Sequence, residues 1–159
     1  YSIYEKNYAE SQFYAQELVL AYPSNAFFRQ LLCRSYIGLS NWQGAIDGWS
    51  KVLALCDSNI FGFSEKVRRE AHYYLGVSYL GQRNLTEAEK NLLKAEELSK
   101  KLDKEPTEIA ADGWLKLAMV YDLMGNKGRA DDYYNKVISQ GGFSGLREQA
   151  EKWKRDRYR

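Results

Sequence analysis

Apolar positions recur along this chain at helical offsets, and the pattern itself repeats. Ala45, Ala88 and Ala130 lie 43 and 42 residues apart. Thirteen residues before each stands a leucine, Leu32, Leu75 and Leu117, followed by a small residue, Cys33, Gly76 and Ala118. Three further on comes a tyrosine each time, Tyr36, Tyr79 and Tyr121. Four after the central alanine is a large residue, Trp49, Leu92 and Tyr134, and three beyond it a small or β-branched one, Val52, Ala95 and Val137. Offsets of one, three and four place such residues on one face of a helix. Two amphipathic helices per unit are therefore predicted, with small residues admitting close approach and large neighbours filling the space beside them.

The punctuation agrees with this reading. Gly38-Leu39-Ser40-Asn41, Gly81-Gln82-Arg83-Asn84 and Gly125-Asn126 fall between the two helices of each unit. Gly and Asn there are expected to take the left-handed conformation that ends a helix. Thr86 with Glu89 has the spacing of a capping box. Lys94 to Lys104 reads as a helical extension, with Glu96 and Glu97 spaced to pair with Lys100 and Lys101. Pro106 suits the first turn of the next helix, and Asn59 to Phe63 reads as a loop. A partial unit opens the chain, in which Ser11 stands 34 residues before Ala45, and Tyr1 reads as a cut within a longer array. At the other end, Leu146, Ala150 and Trp153 share one face of a charged segment, as a polar capping helix would.

These residues resemble the tetratricopeptide repeat family, whose unit has a Trp-x2-Leu-Gly-x2-Tyr…Ala-x3-Phe…Pro pattern. The third unit carries it best, in Trp114, Leu117, Ala118, Tyr121, Ala130 and Tyr134. The second has His72 and the first Arg29 in the place of the Trp. The resemblance implies an all-α fold, a right-handed α-α superhelix of stacked antiparallel helix pairs. A single domain is expected: a partial repeat over 1–25, repeats over 26–57, 65–104 (extended) and 106–140, and a capping helix over 144–159. The long pitches make its superhelix less regular than the family's.

Members of this family bind partners in a concave groove lined by the first helix of each unit. That places Phe27, Gln30, Arg34 and Ile37 in the groove, then Tyr73, Tyr74 and Val77, then Lys116, Met119 and Asp122. The ring of Lys, Arg and Asn with which some members grip a peptide carboxylate is absent, since Gln30, Arg34, Tyr73, Val77, Asp112 and Lys116 hold the matching places. What remains is a partly aromatic groove with two cations, Arg34 and Lys116, suited to an extended or helical peptide. Tyr73, Val77 and Met119 have a competing and commoner use, packing against the next unit. Ile60, Phe61 and Phe63 form either an exposed contact patch or, as is commoner, a cover over the adjacent helices.

Of 159 residues, 45% are hydrophobic, enough for one domain with a real core. Net charge is +2, so nothing global points to nucleic acid, and the basic residues from Lys152 to Arg159 are diluted by Glu148, Glu151 and Asp156. No apolar run approaches the ~20 residues that span a bilayer, and the compartment stays open. Cys33 and Cys56 lie at different levels of their helix pair and are expected as free thiols, Cys33 as a small core residue. The single histidine, His72, reads as structural, with no metal or other cofactor implied. Asn84-Leu85-Thr86 matches a glycosylation sequon but sits in a turn. No nucleophile, phosphate-cradling or zinc-protease motif is present, so no enzymatic activity is expected. The expected role is a scaffold for a protein or peptide partner. The alternatives are the repeat region of a larger enzyme or secretion or envelope component, and self-association through the open N-terminal half-repeat.

Overall fold

The computed structural model describes the backbone of residues 3–159, and the side chains from residue 7 onward other than that of 144. It consists of helices joined by short connections, with no strand among the described residues. In order they are α1 (Ile3–Ala21), α2 (Ala26–Gly38), α3 (Trp42–Asp57), α4 (Glu65–Gly81), α5 (Leu85–Leu102), α6 (Glu108–Leu123), α7 (Lys127–Gln140) and α8 (Ser144–Asp156). Each helix packs on the next. In addition α6 touches both α4 and α8, so the even-numbered helices form one layer of the stack.

The turns within the helix pairs share one hydrogen-bond map. The carbonyl of the repeated tyrosine accepts the N–H of the residue five positions on: Asn41 to Tyr36 at 2.9 Å, Asn84 to Tyr79 at 2.9 Å, Asn126 to Tyr121 at 2.8 Å. A second bond inside it runs from Ser40 to Ile37, from Arg83 to Leu80 and from Gly125 to Asp122. This is a Schellman ending, and it satisfies carbonyls that the helix leaves open. The same asparagine then caps the following helix, its side chain accepting from the backbone N–H of Gly44, Glu87 or Arg129. Asn84, and not Thr86, is thus the cap of α5, because the Schellman bond fixes the turn two residues earlier.

The left-handed residues match expectation in the Gly125 turn and differ from it in the other two. They are Ser40 (φ 54°), Arg83 (φ 61°) and Gly125 (φ 77°). Gly38 and Gly81 instead end their helices beneath an aromatic ring. A Cβ on Gly38 would lie 2.4 Å from the Tyr8 ring, and one on Gly81 2.4 Å from that of Trp42. Gly76 has the same use: its Cβ would meet Leu92 Cγ at 2.4 Å, so the small residue of the repeat sets the approach of α4 and α5. Pro106 also departs from expectation, since it precedes the cap residue Thr107 and stands outside α6.

The long units come from long helices. Beyond the usual turn count, α5 continues to Leu102, and its last turns carry Lys100–Glu96 (3.5 Å) and Lys101–Glu97 (2.6 Å). The Asn59–Phe63 segment is a loop, and its aromatic residues divide. Phe63 is buried and Ile60 packs against the core of α3 and α4, whereas Phe61 is 98% exposed.

Two apolar cores lie along the stack. One gathers Cys33, Trp49, Val52 and Leu75 from α2, α3 and α4, with Phe63 from the loop before α4. The other gathers Leu92, Trp114, Leu117, Tyr121, Tyr134 and Ala150 from α5 to α8. Tyr79 packs against both. Both cysteines are free and buried. Burial pushes the Cys33 thiol up to about 12, as expected of a small core residue. No helix among the described residues is long and apolar enough to cross a membrane.

Candidate functional site

On the layer formed by the even-numbered helices, a hollow lies between α2, α4 and α6. This cavity, of about 390 Å³, is lined by Arg34, Glu70, Tyr73, Tyr74, Glu108 and Asp112, among others. A second hollow of about 330 Å³ shares Arg34 and Tyr74 with it and continues toward Ile37 and Tyr8. Helical spacing explains the convergence: Glu70 and Tyr74 on α4, and Glu108 and Asp112 on α6, are each four residues apart and so share a face.

The aromatic pair is held from behind. Tyr74 stacks on the buried Trp49 (4.9 Å between centroids, 13° between planes) and meets Tyr73 edge-on at 4.8 Å. The Tyr73 hydroxyl donates to Asp112 Oδ2. Burial, reinforced by the Asp112 charge and this bond, drives the Tyr73 phenol well above its ordinary range, and burial raises that of Tyr74. Both are therefore neutral hydroxyl-bearing walls at physiological pH.

The two expected cations are already engaged. Arg34 Nη2 lies 2.7 Å from Glu70 Oε2, and Lys116 Nζ lies 3.6 Å from Asp112 Oδ1. Glu108, exposed in the first turn of α6, has no ion pair among the described residues. The wall of the larger hollow holds Glu70, Glu108 and Asp112 beside Arg34; with Glu70 paired to Arg34 and Asp112 to Lys116, Glu108 is the carboxylate left over, where a weakly cationic groove was expected. Sequence reasoning missed Glu70 and Glu108. Their only signal was the four-residue offset from Tyr74 and Asp112.

The remaining expected residues scatter. Phe27 and Gln30 line a separate hollow of about 400 Å³ beside Phe61 and Gly62, with Phe27 68% exposed. Val77 is half-buried. Met119 is buried in the α5–α8 core and is not presented to the groove, because the close packing of α6 turns that face inward. Asp122 is likewise withdrawn: it accepts from the Tyr134 hydroxyl (2.8 Å), the Tyr158 N–H (3.1 Å) and Arg157 (3.3 Å). That network also folds the basic end of the chain back on the protein, where Arg157 pairs with Asp131 at 2.7 Å.

His72 Nδ1 donates to Asn91 Oδ1 at 3.0 Å, and Asn91 in turn donates to the Glu87 carbonyl. Burial lowers the pKa of this histidine below its ordinary value, which keeps it a neutral bridge between α4 and α5. No group of three or more His, Cys, Asp or Glu side chains able to hold a metal occurs among the described residues.

Helix pairs joined by Schellman turns and stacked one on the next make a helical-repeat fold. Residues 111–140 match the tetratricopeptide repeat model. Curated protein sequences give no significant match. Among solved structures, one crystal structure of MamA aligns with a TM-score of 0.65 at 26% identity, covering 94% of this chain and 86% of that one. Another MamA crystal structure aligns with a TM-score of 0.65 at 24% identity, covering 93% and 79%. BtubC (BKLC) from P. vanneervenii aligns with a TM-score of 0.63 at 15% identity. That match covers 86% of this chain, which spans only 55% of the BtubC chain.

Proposed function

We propose that the protein is an interaction scaffold that seats an extended or helical peptide segment along its concave face. Tyr73 and Tyr74 would form the apolar seat, and a basic side chain of the partner would reach the Glu108–Asp112 wall. The observation that supports this reading most is the lining of the larger hollow, where three carboxylates flank two neutral tyrosines and one guanidinium. Aromatic side chains offer large, rigid contact area and cation-facing rings, and charge complementarity steers and orients a partner. Arg34 and Lys116 then act by holding Glu70 and Asp112 in place, and Phe27 and Gln30 fall outside the principal contact.

Selection of binders from a random peptide library against the full chain tests this. Lys- or Arg-bearing peptides are expected, and Glu108→Lys and Tyr74→Ala should each weaken them by roughly tenfold or more. Acidic binders, or binding indifferent to both substitutions, would remove the groove as the contact.

A second reading is favoured by α1. Its outer side exposes Phe13 (61%), Tyr14 and Leu20 (77%), whereas stacked repeats ordinarily end in a polar face. This surface would pair with α1 of another copy. Light scattering that shows a monomer at high concentration, unchanged by Leu20→Lys, would rule it out.

A further inference from the structure

Beyond α8, residues 157–159 form a strap against the ends of α6 and α4, and the place where they lie is built to receive them. Arg157 pairs with Asp131 through both Nη atoms, at 2.7 and 3.1 Å, and its Nη1 also lies 3.3 Å from Asp122 Oδ1. The Tyr158 backbone N–H donates to Asp122 Oδ2 at 3.1 Å, and the Tyr158 ring meets Trp153 of α8 edge-on at 5.1 Å. Arg83, in the α4–α5 turn, lies 5.5 Å over the same ring and donates to the Arg159 carbonyl at 3.3 Å.

At this seat the chain departs from its own repeat. The residue after the repeated tyrosine is Ile37 in the first unit and Leu80 in the second, and both pack into the apolar cores. In the third unit it is Asp122, whose side chain is 2% exposed. A carboxylate so withdrawn from water is costly unless it is paired and hydrogen-bonded. Tyr134, standing where the other units have Trp49 and Leu92, donates its hydroxyl to Asp122 at 2.8 Å. The guanidinium and the backbone N–H that complete the set come from the strap. Asp131 depends on it too, since the bonds from Arg157 hold its carboxyl below the usual range.

The strap is held against its own backbone preference. Arg157 has φ 62°, in the left-handed region that residues with a Cβ avoid. Arg157 and Tyr158 are only half-buried and Arg159 is exposed, so lifting them opens no core. The contacts are selective nonetheless. The two-pronged bond to Asp131 suits the planar fork of an arginine. The space between Trp153 and Arg83 suits an aromatic ring, and Asp122 takes the N–H that joins the two residues.

We propose that Asp122, Asp131, Trp153 and Arg83 form a docking site for an extended Arg-aromatic segment of a partner protein, which the strap occupies until the partner displaces it. The site is separate from the hollow between α2, α4 and α6 and does not rest on the role given to that hollow. The strap competes from within the same chain at an effective concentration on the order of 1 mM or more, so it holds off weak ligands and yields to a segment with further contacts of its own.

The test clears the seat with Arg157→Ala and Tyr158→Ala in the ¹⁵N-labelled full chain. The probe is the blocked peptide acetyl-Asp-Arg-Tyr-Arg-amide, followed at the backbone amides of residues 122 and 131. The cleared chain should bind it saturably, with a dissociation constant of about 1 mM or tighter. The unmodified chain should bind it at least about fivefold more weakly, because its own strap competes. A peptide with lysine in place of its first arginine, and Asp131→Asn in the cleared chain, should each weaken binding by about three- to tenfold. Should the cleared chain not fold, the unmodified chain decides: at about 20 mM peptide its Tyr158 amide should move toward its unfolded position, and an unmoved amide refutes the site. The site is equally refuted if the cleared chain binds no peptide up to about 20 mM, if it binds no better than the unmodified chain, or if Asp131→Asn changes nothing.

Discussion

The two halves of the stack follow one repeat but are finished differently. From α5 to α8 the core is sealed: Leu115, Leu117, Val120, Ala130 and Tyr134 are fully buried, and the tyrosine hydroxyls are tied to acids. Tyr121 donates to Glu89 (2.7 Å), Tyr133 to Glu96 (2.9 Å) and Tyr134 to Asp122 (2.8 Å). At the other end α1 buries Ala15 but leaves Phe13, Tyr14 and Leu20 to solvent. Among the described residues, its polar tie to α2 is a long bond, Gln16 to the Tyr36 hydroxyl at 3.4 Å. A repeat array stabilises each unit through its neighbours, so a unit flanked on both sides gains packing and closed polar pairs that an end unit lacks.

Core truncation should expose this difference most strongly. Leu117→Ala, at a fully buried position, should cost about 2–5 kcal/mol by chemical denaturation. Leu20→Ala, at a position 77% exposed, should stay within about 0.5 kcal/mol. Equal effects would mean that the two ends are packed alike. Between the halves, Gly76→Ala places a methyl on Leu92 and should cost about 1–3 kcal/mol through overpacking. No change would show that α4 and α5 can separate freely.

The tyrosine–acid ties give the finished half a pH signature. Burial and the neighbouring carboxylates raise the Tyr121 phenol to about 12 and push those of Tyr133 and Tyr134 up as well. A proton held more tightly in the folded state gives stability that is complete below the ordinary phenol pKa and declines as pH rises past about 10. Tyr134→Phe should flatten that alkaline decline in a pH series of denaturation curves. The Glu96 carboxyl runs the other way. Burial would raise it, yet the bonds from Lys136 and Tyr133 hold it below its usual range. Its contribution is present above the ordinary carboxylate pKa and fades as pH falls below about 4.

Two smaller effects probe the less finished half. Ser40 adopts φ 54° without being glycine, so Ser40→Gly should stabilise by about 0.5–1 kcal/mol. Cys33, buried and with its thiol pKa raised to about 12, should resist a thiol reagent at neutral pH. Labelling of Cys33 much faster than global unfolding would show that α1 and α2 open on their own.

The helices were legible in the sequence because the Leu-small-x-x-Tyr and Ala-x3-large runs state both the period and the buried face. The extension of α5 was legible from the Glu96–Lys100 and Glu97–Lys101 spacings. The turns were legible in position but not in mechanism. Glycine has two uses, a left-handed backbone and a missing Cβ, and composition does not separate them. At Gly38 and Gly81 the second use prevails, and the strain moves to Ser40 and Arg83. The groove was least legible, because a carboxylate four residues from a tyrosine looks like any solvated helix face until α4 and α6 are set side by side. Asp122 misled for a related reason: its partners Tyr158 and Arg157 lie 36 and 35 residues away, and periodicity carries no such information.

The ring-over-glycine contacts bear on how such an array can be cut and rejoined. Tyr8 on α1 sits over Gly38 at the end of α2, and Trp42 on α3 sits over Gly81 at the end of α4. In the next unit the equivalent positions hold Leu85 and Leu123, so the sizes are redistributed between the two members. Each matched pair joins the second helix of one unit to the first helix of the following one. The module that can be transplanted whole is therefore α3 with α4, a cassette offset by one helix from the repeat as the sequence displays it. Chimeras spliced between α2 and α3 keep both members of each pair together, whereas those spliced between α3 and α4 bring in a ring or a glycine without its counterpart.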